Sequence, residues 1–223
     1  MMRLTQAMAV LLCMAAATSG MAQETAAPAD PATTEAPATG DAAPADQLSL
    51  GTEVAAPDGP GSIYVAASFD SWEQRCVRAA APGQDACQLY QLLKDGKGTE
   101  VAEITMLGLP EGQEAAAGAT VIAPLETLLT SGLTLQIDAA KAKSYPFAWC
   151  SPVGCVARIG FTAEELDAMK KGNKATITIV PAVAPTEKVL LDVSLTGFTA
   201  GLTAVNDANA AADAAAKAAA PAP

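Results

Sequence analysis

Tyr145-Pro-Phe-Ala-Trp-Cys-Ser-Pro-Val-Gly-Cys155 is the stretch that decides how this 223-residue chain is built. Aromatic side chains, turn-forming residues and two cysteines meet within it. Ser151-Pro152 and Val153-Gly154 carry turn chemistry, and Cys150 and Cys155 are close enough in sequence to close a small covalent ring at the base of a loop. Tyr145, Phe147 and Trp149 alternate, which in an extended segment puts all three on one side and Cys150 on the other. This aromatic face is expected to pack inward, and the competing expectation makes it a partner surface. The stretch contains no histidine, no lysine beside a nucleophile and no glycine-rich phosphate cradle.

Outward from it, the chain alternates with a period of two. Upstream, residues 63–67 read as a strand, and Trp72, Gln74 and Cys76 share one face of the next. The polar turn 81–85 separates these from a further strand over 87–93, so Cys76 and Cys87 fall opposite one another. Ala102, Ile104 and Met106 mark one face of a strand over 99–107, 120–124 reads as a short strand, and Leu133, Leu135 and Ile137 mark another. Residues 125–131 have no clear period. Downstream, 156–161 reads as a strand and the period then changes to about 3.6 over 162–172. Thr162 and Glu165 form a capping-box pair, acids sit early and lysines late, Leu166 and Met169 share a face, and Gly172 ends the helix. Two more strands follow, with Ala175, Ile177 and Ile179 on one face of the first and Val189, Leu191, Val193 and Leu195 on one face of the second. Phe198 is placed to fold back onto the core. This is an all-β domain, expected as a two-layer antiparallel β-sandwich with one short helix, flanked by disordered Ala/Pro-rich ends.

The boundaries follow from composition. Residues 1–22 read as a signal peptide: Arg3, then an apolar core too short for a membrane span, then Gly20 and Ala22 before the cleavage point. Cys13 suggests a lipoprotein, but Leu12 stands where a small residue is wanted. Residues 23–60 are rich in Ala, Pro and Thr, and carry Glu24, Asp30, Glu35, Asp41, Asp46, Glu53 and Asp58 with no Lys or Arg, the composition of a disordered acidic linker. Residues 61–206 form the β domain. Residues 207–223 form an alanine-rich tail, at most a frayed helix, without an apolar stripe beyond alanine and expected to have no stable packing.

Loss of the signal takes away Cys13 and leaves four of the five cysteines, an even number suited to a disulfide framework in an exported chain. Of the three possible pairings, nearest-neighbour closure favours Cys76 with Cys87 and Cys150 with Cys155, the other two pairings remaining open. The net charge of −11, which becomes −12 when Arg3 leaves, suits neither nucleic acid nor anionic lipid. After cleavage no segment is long and apolar enough to span a membrane.

The chain has no histidine, which removes Ser-His-Asp and Cys-His catalysis, histidine zinc sites and axial-histidine haem together. Cys-x-x-Cys, Walker and dinucleotide fingerprints are absent. No catalytic, metal-ligating or cofactor-binding residue stands out, and no cofactor is expected. Carboxylate-based hydrolysis of a cell-wall or surface glycan is the enzyme class that remains. Glu164, Glu165 and Asp167 are accounted for by the helix dipole.

Several of these residues carry a family likeness. The series Phe69-x-x-Trp72-x-x-x-Cys76, Cys87, Asp138, Tyr145-x-x-x-x-Cys150-x-x-x-Gly154-Cys155-x-Ala157, the helix to Lys171-Gly172, and Ser194-Leu-x-Gly-Phe198 resembles the invasion-associated locus B family of exported alphaproteobacterial proteins. The likeness covers residues 63–205. It implies a compact β-rich periplasmic or envelope-associated domain with paired cysteines, in a group named for host-cell invasion, and it implies no catalytic residues. The linker and the tail lie outside the family pattern. The expected protein is therefore a non-enzymatic, disulfide-stabilised envelope protein, periplasmic or secreted. It is expected to contribute to host-cell or envelope interactions through an unidentified protein or envelope partner.

Overall fold

A computed structural model describes residues 58–220. The expected signal peptide, nearly all of the expected acidic linker and residues 221–223 lie outside the described residues. Strands β1 (Ile63–Phe69), β2 (Trp72–Val77), β3 (Ala86–Asp95), β4 (Glu100–Gly108) and β5 (Ala117–Ala123) lead to a 3-10 turn at Leu129–Ser131. Then come β6 (Leu133–Ile137), β7 (Lys143–Tyr145), β8 (Phe147–Ser151), β9 (Gly154–Phe161), helix α1 (Ala163–Lys171), β10 (Lys174–Ile179), β11 (Val189–Ser194) and helix α2 (Phe198–Ala219).

Alternation places the inward residues as the sequence suggests: Trp72 and Cys76, Ala102, Ile104 and Met106, Leu133, Leu135 and Ile137, and Ala175, Ile177 and Ile179 are all buried in one core. The antiparallel all-β class holds. Its two walls belong to one continuous sheet in the order β7-β6-β10-β11-β3-β4-β5-β9-β8, with β2 on β3 and β1 on β2. The two ends of that path, β7 and β8, are consecutive in sequence with only Pro146 between them. Residues 143–145 pair with β6 and residues 147–151 pair with β9, so one extended segment brings the sheet round on itself as a nearly closed barrel. Proline, which has no N–H to give to a ladder, sits where the segment changes partners.

Long β3 divides one edge between two neighbours. Residues 86–90 pair with β2, while Lys94 and Asp95 pair with β11. Gln91 lies at the fork, 3 % exposed.

Helix α1 forms as read, its capping box made by Thr162 Oγ1 accepting from the Glu165 amide at 3.2 Å and Glu165 Oε2 accepting from the Thr162 amide at 3.1 Å. Helix α2 is a correction. The tail expected to begin at 207 without packing is the second half of a 22-residue helix. Phe198, Gly201, Leu202 and Val205 bury one stripe and supply the nucleus, and alanine, the best helix former, propagates it. Beyond that stripe the helix is still anchored. Asn206 Oδ1 accepts from the Gly108 amide at 3.0 Å, and Asn209 takes the Cys87 amide on Oδ1 at 2.8 Å and donates to the Cys87 carbonyl at 2.9 Å.

Candidate binding face around Trp149

The opening stretch is not a loop but a hairpin. β8 and β9 run up to a two-residue turn, Pro152-Val153, with Ser151 paired to Gly154 and Cys150 paired to Cys155. Cys150 and Cys155 are bonded across this pair with Cα atoms 4.0 Å apart, and Cys76 and Cys87 are bonded across β2 and β3 at the same separation. Gly154 adopts φ +146°, and a Cβ there would lie 2.5 Å from the Ala123 carbonyl oxygen, so the hairpin presses closely on β5.

The three aromatics do not share a face. Phe147 opposes Ala157 whereas Trp149 opposes Val156, because Ala148 forms a bulge between them. Ala157 and Val156 point to opposite faces of β9, so Phe147 and Trp149 do too. Phe147 and Tyr145 lie against the core; Trp149 is 51 % exposed. The expectation that all three pack inward is thus corrected for Trp149.

Trp149 heads a row that crosses five strands on the outer face: Trp149, Val156, Ile122, Glu103 and Leu92. Val153, at the hairpin tip, is 78 % exposed, and Leu92 is also exposed. Ile122, Pro124, Leu92 and Val153 line one shallow depression beside this row. In the adjoining row, Tyr90 lies between Glu73 and Thr105, with the Arg75 guanidinium carbon 3.3 Å above its ring centroid and Arg75 paired to Glu73 at 2.8 Å. Burial, and then the Glu103 charge, raise the Tyr90 hydroxyl above its ordinary pKa. Leu92 and Ile122 were not singled out in the sequence, and Val153 was read only as a turn residue. For Leu92 and Ile122 the available signal was a large apolar residue at a strand position whose alternation assigns it to the solvent side.

The remaining likeness residues gather at the β3 fork. Trp72 Nε1 donates to the Ser194 carbonyl at 2.7 Å, Gln91 Nε2 donates to the same oxygen at 3.1 Å, and Gln91 Oε1 accepts from the Ser194 amide at 2.9 Å. Phe198 sets its ring 5.4 Å from that of Trp72. Gly197, at φ +82°, brings the chain against the Phe69 carbonyl with no room for a Cβ. Asp138 accepts from the amides of Asn173 and Lys174 at 3.3 and 3.1 Å, tying the end of β6 to the exit of α1. These groups are consumed in holding the fold.

Residues 72–206 match the family model described as invasion associated locus B (IalB) protein. The chain belongs to the IalB family. Two invasion protein B homologs of Brucella abortus, from strain 2308 and from biovar 1 strain 9-941, are each 33 % identical to it over 82 residues, 37 % of this chain and 47 % of theirs. The matched segment thus spans about half the length of these curated relatives. A solved structure, that of invasion associated protein B from Bartonella henselae, superposes with a TM-score of 0.51 at 20 % identity, covering 62 % of this chain and 94 % of that one. That likeness is one of fold.

Within this IalB domain, Asp70, Glu73, Asp95 and Asp192 line an open depression of about 530 Å³ together with Arg75 and Lys94. Glu73 is committed to Arg75 and Asp192 to Lys174. Asp95 is held below the ordinary carboxylate range, first by the Thr99 amide and then by that of Lys97. A glycosidase acid needs the opposite shift. Elsewhere, Glu165 of α1 meets Lys143 of β7. Burial acts to raise the Glu165 pKa but is outweighed by the Lys143 ammonium and the Thr162 amide, which leave it depressed; the same contact raises Lys143. Among the described residues no three metal-ligating side chains converge, and no helix is long and apolar enough to cross a membrane.

Proposed function

We propose that this IalB-family protein is an exported, non-enzymatic envelope protein that docks a protein partner on the sheet face headed by Trp149. The observation that supports the reading is the placement of Trp149: a bulge turns a large aromatic out of the core, and a disulfide fixes the hairpin that carries it. Large aromatics on rigid elements, surrounded by apolar neighbours, are the side chains that anchor protein interfaces. The invasion-related names of the Brucella and Bartonella proteins agree with a role at the cell envelope.

A photo-crosslinking residue at Val153, in the full chain expressed in its own cells and followed by fractionation, tests this. One discrete crosslinked species in the envelope or secreted fraction, lost in Trp149→Ala, is the expected result. A protein retained in the cytoplasm, or crosslinking indifferent to Trp149→Ala, overturns it.

A further inference from the structure

On the same outer face, two rows from Trp149, Gly118 of β5 and Gly160 of β9 are paired directly opposite each other. Their chain neighbours Ala117, Ala119, Ile159 and Phe161 are buried, so both glycines point outward. Glycine inside a strand weakens it and there marks a bulge, a bend or a close approach. Neither residue needs glycine for its backbone: neither lies at positive φ, and the pairing of β5 with β9 runs through both without a register shift. Nor does crowding account for Gly118. A Cβ there would meet only Leu109 Cδ1 and Cδ2, at 3.8 and 3.9 Å, which is ordinary contact; at Gly160 it would meet Ala115 Cβ at 3.3 Å, a tight approach that by itself favours glycine, so Gly118 is the residue left without a structural reason. What the pair provides is a floor without side chains.

Above that floor runs a groove of about 330 Å³, at the small end of the ~300–1,000 Å³ range of small-molecule sites. Leu107 and Leu109 line it, with Thr105 and Thr120. Arg158, directly opposite Thr120, is exposed and makes no ion pair among the described residues, although the chain carries a net charge of −11. A lone guanidinium beside an apolar channel is complementary to one carboxylate on an aliphatic body. No aromatic side chain lines the groove to stack a sugar ring.

We propose that the Gly118–Gly160 groove binds a single-chain aliphatic carboxylate, its chain lying across the two glycines and its head group on Arg158. This site is independent of the Trp149 reading.

The test uses the chain from residue 23 onward with both disulfides formed, titrated with monomeric decanoate and, in parallel, decanol, by calorimetry and amide chemical shifts. Saturable one-to-one binding of decanoate is expected, with shifts centred on Gly118 and Gly160. Arg158→Gln should weaken decanoate at least tenfold and bring it level with decanol. Gly118→Val should abolish binding of both. Gly118→Ala should melt no lower than the parent, since its methyl has room, yet bind more weakly. Absence of saturable decanoate binding overturns the proposal, as does equal affinity of the parent for decanoate and decanol, or binding unchanged in Gly118→Ala. If Gly118→Val fails to fold, Arg158→Gln and Gly118→Ala decide.

Discussion

Gln91 makes with its side chain the pair of hydrogen bonds to the Ser194 backbone that a neighbouring strand would otherwise make. It stands where β3 parts from β11 to pair with β2, and an unmet amide there would be shut away from water. Gln91→Leu keeps the bulk but strands the Ser194 amide. A loss of about 1–3 kcal/mol is expected in urea unfolding. A midpoint within error of the parent would show that the fork does not depend on Gln91.

The opposed placement of Phe147 and Trp149 predicts opposite responses to truncation. Phe147→Ala should cost roughly 2–3 kcal/mol, somewhat less than the ~3–5 kcal/mol of a fully buried aromatic. Trp149→Ala should stay within about 1 kcal/mol of the parent, as surface changes do. Thermal unfolding of the two variants side by side separates the faces, and a Trp149→Ala loss equal to that of Phe147→Ala would place both in the core.

The two bridges differ in access. Cys150 is exposed, whereas Cys76 and Cys87 are 1 % and 7 % exposed, and Asn209 holds the Cys87 backbone. Graded reduction with alkylation and peptide mapping should open Cys150–Cys155 first. Each bridge should contribute about 2–3 kcal/mol on the chain-entropy account. Recovery of a Cys76–Cys150 peptide as the main oxidised species would contradict the pairing.

Glu165 and Lys143 give a pH signature. The folded pKa of Glu165 lies below its unfolded value, so its ionised form stabilises the fold above that unfolded value, near ~4.3, and the contribution disappears as pH falls through the folded pKa. Lys143 is raised, so its share is present at neutral pH and disappears only in strong alkali. Glu165→Gln retains an oxygen for the Thr162 amide and removes only the charge. Its melting temperature should fall below the parent's at pH 7 and converge with it on acidification below about pH 4. A difference independent of pH would assign the effect to the cap instead.

Much of the sheet was legible because alternation in each strand is dictated by one shared core, as at Ile104 and Met106 or Leu191 and Val193. Helix α1 was legible because its signals are local: the Thr162–Glu165 capping box, the early acids and late lysines, and the shared face of Leu166 and Met169. Trp149 was not, because its direction depends on a one-residue offset in pairing with β9, and neither Ala148 nor its neighbours carry a local signal for a bulge. The fork was hidden for a related reason: Gln91 meets Ser194 from 103 positions away. The start and the packing of helix α2 were missed because beyond Val205 alanine supplies propensity without a stripe, and the anchoring contacts of Asn206 and Asn209 are long-range. Gly118 and Gly160 become a pair only once β5 lies beside β9.

The contacts of α2 and of Ser194 impose an order of events. Trp72 waits for Ser194, and Cys87 for Asn209, each 122 positions further along the chain. A polypeptide delivered amino end first, from a ribosome or through a translocation pore, therefore arrives with its first strands lacking partners that come only with β11 and α2. Completion is set by the arrival of these two elements, and a chain halted before them stays open to chaperones and proteases.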